Sequence, residues 1–354
     1  MLSVVVYHAI FMYNAQGISV GTLPDTTGAH YQDAVEYLLY PWFMLILFII
    51  AGISSRLYLE KHTAKQYIRS RTDKLLVPST LGLFVWCWAQ GWISMKISEL
   101  NGSDVDMSAA PGFVKYLIMV LSGQSVLWFI QLLWLFSLAA ALINRLEKGK
   151  LYSLCEKINT PALILFVVPL FFAGLVLNTP VITVYRFGYY GFGFLLGYFV
   201  FAHEEVIDRL RRYRFILLGV SLALGITYTI LYFGQNYADA SAHIEVINSP
   251  AAVAYAWTAV LAIFACAREW FDKETAFTKF MTKKSFGVYM FHFIGISAAA
   301  YLMAVYLNVP LFVRYIAVLL AGLAAGFGLQ EVFGRIPLVR YLVMGIRAKK
   351  KTAE

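Results

Sequence analysis

Apolar residues run in long unbroken stretches along this sequence, separated by short polar joints. Ten runs stand out, at 1–13, 37–57, 75–95, 125–144, 161–178, 184–202, 214–233, 250–267, 286–307 and 312–333. A helix rises 1.5 Å per residue, so about 20 apolar residues cross the roughly 30 Å hydrocarbon core of a bilayer. A membrane barrel would show short alternating segments instead. The pattern therefore predicts an all-α polytopic membrane protein, a bundle of about ten transmembrane helices of which the first is incomplete. Run 1–13 reaches only about 20 Å, and completing it would take roughly five to seven more residues. Met1 is thus expected to be an internal methionine, with the true N-terminus upstream.

Composition agrees with a membrane solvent. The 354 residues are 60% hydrophobic and 14% charged, against about 25% charged in a soluble domain. The net charge of +9 would fit a nucleic-acid partner, but its distribution says otherwise. Of the 29 Lys and Arg, 25 fall in the joints 56–74, 145–160, 203–214 and 268–284 and the tail from Arg335. Ten helices put these on one side, and the positive-inside bias makes it the cytoplasm, with both termini there. The remaining four are Lys96, Lys115, Arg186 and Arg314. Loops 14–36, 93–124 and 234–249 carry Asp25, Asp33, Glu36, Glu99, Asp104, Asp106, Asp239 and Glu245 on the opposite side. Excess charge here marks topology, not nucleic acid. Cys87, Cys155 and Cys266 lie too far apart for a metal or disulfide framework and read as packing residues. The start lacks a basic region and a cleavage site, so it is not a secretory signal. One membrane domain over 1–354, with a basic tail from 335 to 354, accounts for the whole chain.

Chemistry then has to sit inside the bundle or at its mouths. His8, in VVVYHA, is costly in a span unless it faces a bundle interior or a water-filled cavity. It is also suited to proton transfer near neutral pH. A hydrogen bond to a neighbouring helix is the plainer alternative. His292, Tyr289 and Ser285 share one helical face in SFGVYMFH, a stripe that lines a cavity or forms an interhelical seam. Arg69, Arg71 and Lys74 form the densest basic cluster, with Pro78 one turn inside the next span. Such a cluster binds phosphate groups specifically or lipid headgroups generally. Trp128, Phe129, Gln131 and Trp134 read first as an interfacial aromatic belt, with Trp128 as a further candidate cavity residue. Glycines 188, 191, 193 and 197 suit close helix packing better than a phosphate loop. Acidic residues show no metal-ligand spacing, and no metal is expected.

Taken in order, these segments resemble the acyltransferase-3 family of ten-helix bacterial membrane acyltransferases. VVVYHA matches its first-helix histidine motif, and YPWFMLILFIIAGISSRLYL its second helix with an aromatic entry and a small-Gly bend. YIRSRTDKLLVP matches the arginine motif before the third helix, and SFGVYMFH the late Ser…Tyr-x-x-His stretch. The resemblance implies a cell-membrane enzyme that takes an acyl group, most commonly acetyl, from cytoplasmic acyl-CoA. It places that group on a hydroxyl of an envelope carbohydrate or a related extracytoplasmic acceptor. It implies His8 as the catalytic residue, either general base or acyl carrier, and Arg71 with Lys74, and Arg69 close by, as acyl-CoA contacts. Acyl-CoA is a donor substrate in this scheme, and no tightly bound cofactor is implied. Three features depart from the family pattern. Its arginine about eleven residues before the histidine would fall before Met1; its Ser-Gly is Ala51-Gly52; and the second basic residue of its arginine motif is Lys74. A transporter or flippase for an envelope glycan or lipid is the competing reading of ten helices with buried histidines. It predicts paired half-repeats, and the sequence shows no clear internal symmetry.

Overall fold

The computed structural model describes all residues except 15–21, 24–30, 103–108, 178–184, 236–245, 272 and 348–354. Asp25, Asp104, Asp106, Asp239, Glu245 and the last residues of the basic tail lie outside the described residues. In chain order the helices are α1 (Leu2–Phe11), α2 (Ala34–Lys61), α3 (Ala64–Arg71), α4 (Val77–Thr80), α5 (Leu83–Leu100) and α6 (Gly112–Ser122). They continue as α7 (Trp128–Glu147), α8 (Lys150–Cys155), α9 (Thr160–Leu165), α10 (Val167–Ala173), α11 (Phe187–Leu196) and α12 (Glu204–Arg211). The chain ends with α13 (Arg214–Tyr232), α14 (Pro250–Trp270), α15 (Ala276–Tyr306), α16 (Leu311–Arg335) and α17 (Pro337–Met344). Single π-helical turns join α3 to α4 over Thr72–Leu76 and extend α11 over Gly197–Phe201. The protein is all-α, with no strand among the described residues.

Among the described residues, six helices are long and apolar enough to cross a membrane: Tyr31–Lys61, Ser125–Glu147, Arg214–Tyr232, Pro250–Trp270, Ala276–Tyr306 and Leu311–Arg335. They coincide with six of the ten expected spans. Runs 1–13, 161–178 and 184–202 form shorter apolar helices, and run 75–95 is divided between α4 and α5 near Gly82. The exposed faces of α13 and α16 carry Ile216, Leu222, Ile226, Phe312 and Leu320, as expected where lipid rather than water is the solvent. α6 was not expected. Its 11 residues are too few for a span and therefore read as part of a loop. It packs back on α5, with Tyr116 donating to the Phe84 carbonyl at 2.6 Å, and leaves Phe113 and Leu121 exposed.

Contacts gather the chain into two compact units. The first comprises Met1–His30, Arg69–Trp134 and Ala276–Glu354. Here α1 packs on α15 and α16, and α15 also meets α5. Val5 and Ala9 of α1, with Met12 at its end, join Ile93, Ile97, Val288, Ile296 and Val318 in one apolar core. A polar seam crosses it, since Gln90 Nε2 lies 3.1 Å from the Ser94 hydroxyl and 3.2 Å from that of Ser297.

The second unit comprises Tyr31–Ile68 and Leu135–Thr275. Its frame is the crossing of α2 with α11 and the following π turn. A side chain at Gly52 would strike the backbone of Phe194 and Tyr198, and one at Gly197 the backbone of Ile49. The two helices thus touch backbone to backbone, which only glycine allows. Ala51-Gly52, expected as a bend, instead lies within an uninterrupted α2 and serves as a contact point. All three cysteines are buried and unbridged, as packing residues should be.

Candidate functional site

Residues 2–11 are apolar throughout apart from Ser3 and His8, so α1 has little choice but to bury most of its surface. Val5 and Ala9 turn into the core of the first unit, and His8 lies one residue aside, partly exposed. The imidazole meets α15 at His292, which is wholly buried. His292 Nε2 stands 3.0 Å from His8 Nδ1, with ring centroids 5.0 Å apart. Tyr7 and Phe293 close on the His8 ring edge to face, at 5.1 and 5.2 Å.

Partners fix where the protons go. His292 Nδ1 faces the carbonyl oxygens of Val288 and Tyr289, each at 2.9 Å. Carbonyls only accept, so Nδ1 carries the hydrogen and, in the neutral ring, Nε2 is left as an acceptor. His8 Nδ1 faces that acceptor and also the Val4 carbonyl at 2.9 Å. It must therefore be the protonated nitrogen of His8. The remaining lone pair of the pair sits on His8 Nε2. The carbonyls of Val288 and Tyr289, through His292, and that of Val4 directly set which atom of His8 is basic.

The rest of the expected stripe on α15 disperses among different partners. Tyr289 is buried and donates its hydroxyl to the Val126 carbonyl. Ser285 bonds within its own helix, to Thr282 at 3.1 Å. Trp128 is half-buried with its ring edge-on to Phe129, and Phe129 in turn meets Tyr289 at 5.6 Å. Trp134 Nε1 donates to the Thr72 hydroxyl at 3.2 Å, and Gln131 Nε2 is 3.4 Å from the Ser79 carbonyl. Of the expected aromatic belt, Phe129 is buried, and Trp134 and Gln131 tie it to the turn and helix at Thr72 and Ser79.

Arg69 and Arg71 lie on the last turn of α3, and Lys74 on the π turn after it. Arg69 and Lys74 are exposed, and neither has an ion-pair or hydrogen-bond partner among the described residues; Arg71 is half-buried. The acid among them, Asp73, is occupied. Arg347 donates to its Oδ1 at 2.6 Å and Tyr341 at 3.1 Å. Gly345 makes this possible. Its φ of 65° turns the chain at the end of α17, and its bare Cα rests on the backbone of Asp73 and Lys74. Tyr341 and Arg347 escaped the sequence reading because the C-terminal charges read as topology alone. The Gly-Ile-Arg ending of an apolar helix was the available signal. Replacing Arg347 with alanine should free Asp73 to compete for the neighbouring cations. Affinity of an anionic ligand at this turn should then fall by about threefold, the scale of an exposed ion pair; binding of the ligand to Arg347→Ala, measured calorimetrically, checks it.

Residues 1–331 match the sequence model of a family described as an acyltransferase domain. No curated protein and no solved structure matches the chain.

Proposed function

The chain belongs to the acyltransferase-3 family and is a membrane acyltransferase, and from that premise we propose its reaction. An acyl group, acetyl foremost, passes from cytoplasmic acyl-CoA to a hydroxyl of an envelope carbohydrate on the far side of the bacterial cell membrane. The observation that carries this reading is the contact of His8 with His292, which leaves a lone pair on His8 Nε2.

In this scheme Arg69, Arg71 and Lys74 hold the phosphates of acyl-CoA by charge-assisted hydrogen bonds. Asp73 is kept from them by Tyr341 and Arg347. The concentration of Lys and Arg in the joints at 56–74, 145–160, 203–214 and 268–284 supports a cytoplasmic donor side. His8 Nε2 takes the proton of the acceptor hydroxyl as its oxygen attacks the thioester carbonyl carbon. The C–O bond forms, the tetrahedral oxyanion collapses, and the C–S bond breaks. The proton on Nε2 then passes to the leaving thiolate. CoA-SH, an O-acyl ester and a neutral imidazole result, so the site is restored after each turnover. His292 acts through His8 as a positioning residue.

The test is transfer of label from radioactive acetyl-CoA by the purified full chain to an envelope polysaccharide extract, with His8→Ala alongside. Base-labile label in the polysaccharide with the native protein alone is the expected result. Equal transfer by both proteins would refute the assignment.

A further inference from the structure

The second unit holds a buried cation, Arg186, whose charge no carboxylate balances among the described residues. Arg186 is 1% exposed and sits at the N-terminus of α11. Its Nη2 donates to the Oδ1 of Asn248, which is equally buried. No carboxylate is within ion-pair reach of the guanidinium among the described residues, and its Nε and the Asn248 Nδ2 have no hydrogen-bond partner. Two donor nitrogens of this hydrogen-bonded pair thus remain unspent.

The backbone adds to the imbalance. A helix N-terminus carries a partial positive charge, which is the wrong end for an arginine. Asn248 directly precedes Ser249, the N-cap of α14, whose hydroxyl accepts from the Ala252 amide at 3.1 Å. The positive ends of α11 and α14 therefore meet at this one hydrogen bond. The carbonyls of Ala173 and Val176 lie against Gly188, two residues further on. The guanidinium also stacks 3.9 Å over the Tyr189 ring. Partial charges and a ring face do not replace a counter-ion for a desolvated arginine. Helix N-termini that converge with an arginine are built to take an anion.

We propose that Arg186 and Asn248 form a binding site for an anionic group, a carboxylate or phosphate carried by the sugar acceptor. Naming the occupant as the acceptor rests on the acyl-transfer reading above; the presence of an anion site does not. Tyr189 and Tyr190, both buried beside the guanidinium, give its surroundings the aromatic, hydroxyl-bearing character that suits a sugar ring.

The purified full chain in detergent is titrated with glucuronate, glucose 1-phosphate, neutral glucose and phosphatidylglycerol while its melting temperature is followed. At about ten times the dissociation constant an acidic sugar should raise the melting temperature of the native protein by about 1–2 °C. Glucose should not. In Asn248→Asp the missing counter-charge is built in. That variant should melt no lower than the native protein without ligand, and the acidic sugar should no longer shift it. Arg186→Gln should likewise lose the shift without losing stability. Which acidic sugar acts distinguishes a carboxylate from a phosphate acceptor. A shift that persists in both variants would overturn the site. So would the absence of any acidic-sugar shift in the native protein. A shift with phosphatidylglycerol alone would make this a lipid site and overturn its assignment to the acceptor. None of these readouts depends on acyl transfer, so failure here and failure of the acyltransferase reaction are separable.

Discussion

His8→Ala is expected to lower kcat for acyl transfer by about 10²–10⁴, the range a positioned general base supplies. The KM for acyl-CoA should stay within about threefold, because the base acts on the acceptor proton and does not hold the donor. His292→Ala should have a smaller effect of the same kind. It removes one of the two acceptors that hold the His8 proton on Nδ1 and leaves only the Val4 carbonyl, so part of the His8 population would present an N–H where a lone pair is needed. A loss of about 10- to 100-fold in kcat is the expected size for a group that orients a reacting imidazole. Two further measurements separate positioning from mere packing. The double variant should be no worse than His8→Ala alone, since His292 has nothing left to orient. His292→Gln should recover part of the activity, because the amide oxygen is again an acceptor for His8 Nδ1–H. Additive losses, or no recovery with glutamine, would leave His292 as a core residue only.

That the two histidines would meet was not legible in the sequence, though each was conspicuous in it. A histidine in an apolar run is visible by residue type alone, and His8 and His292 both stood out on that ground. Their contact joins positions 284 apart, and no periodicity carries information across that distance. The spans were legible because lipid imposes a length on them; Arg214–Tyr232 and Leu311–Arg335 coincide closely with the apolar runs. α6 was not, because 11 apolar residues fall below that length and look like a loop. The turn at Thr72–Leu76 was also invisible. A π turn adds one residue to a helix without a sequence signature, yet it carries Asp73 and Lys74 where Gly345 can rest on them. Arg186 was visible only as one of four basic residues outside the basic joints and tail. Its burial came from the packing of α11 and the chain ahead of α14, which are far apart in sequence.

The donor site should respond to charge in a way the histidine pair does not. Arg71→Gln is expected to raise the KM for acetyl-CoA by about 10- to 100-fold, since a charge-assisted hydrogen bond to phosphate contributes about 1.5–3 kcal/mol. Arg69→Gln and Lys74→Gln should each raise it by about threefold, because both side chains are exposed and water screens them. In every case kcat at saturating donor should stay near the native value, as the reacting atoms are untouched. Salt supplies the control. Raising ionic strength from about 0.05 to 0.5 M shortens the screening length to a few ångströms and should weaken donor binding by the native protein. The same change should have less effect on the triple variant, which has lost the three cations at this turn and keeps only the Asp73–Arg347 pair. Arg71→Lys separates fork from charge, since lysine keeps the charge but cannot bind a phosphate with two parallel N–H groups. An intermediate KM is expected for it. If all five variants kept the native KM, the basic turn would be a lipid-headgroup anchor and the donor would have to bind elsewhere.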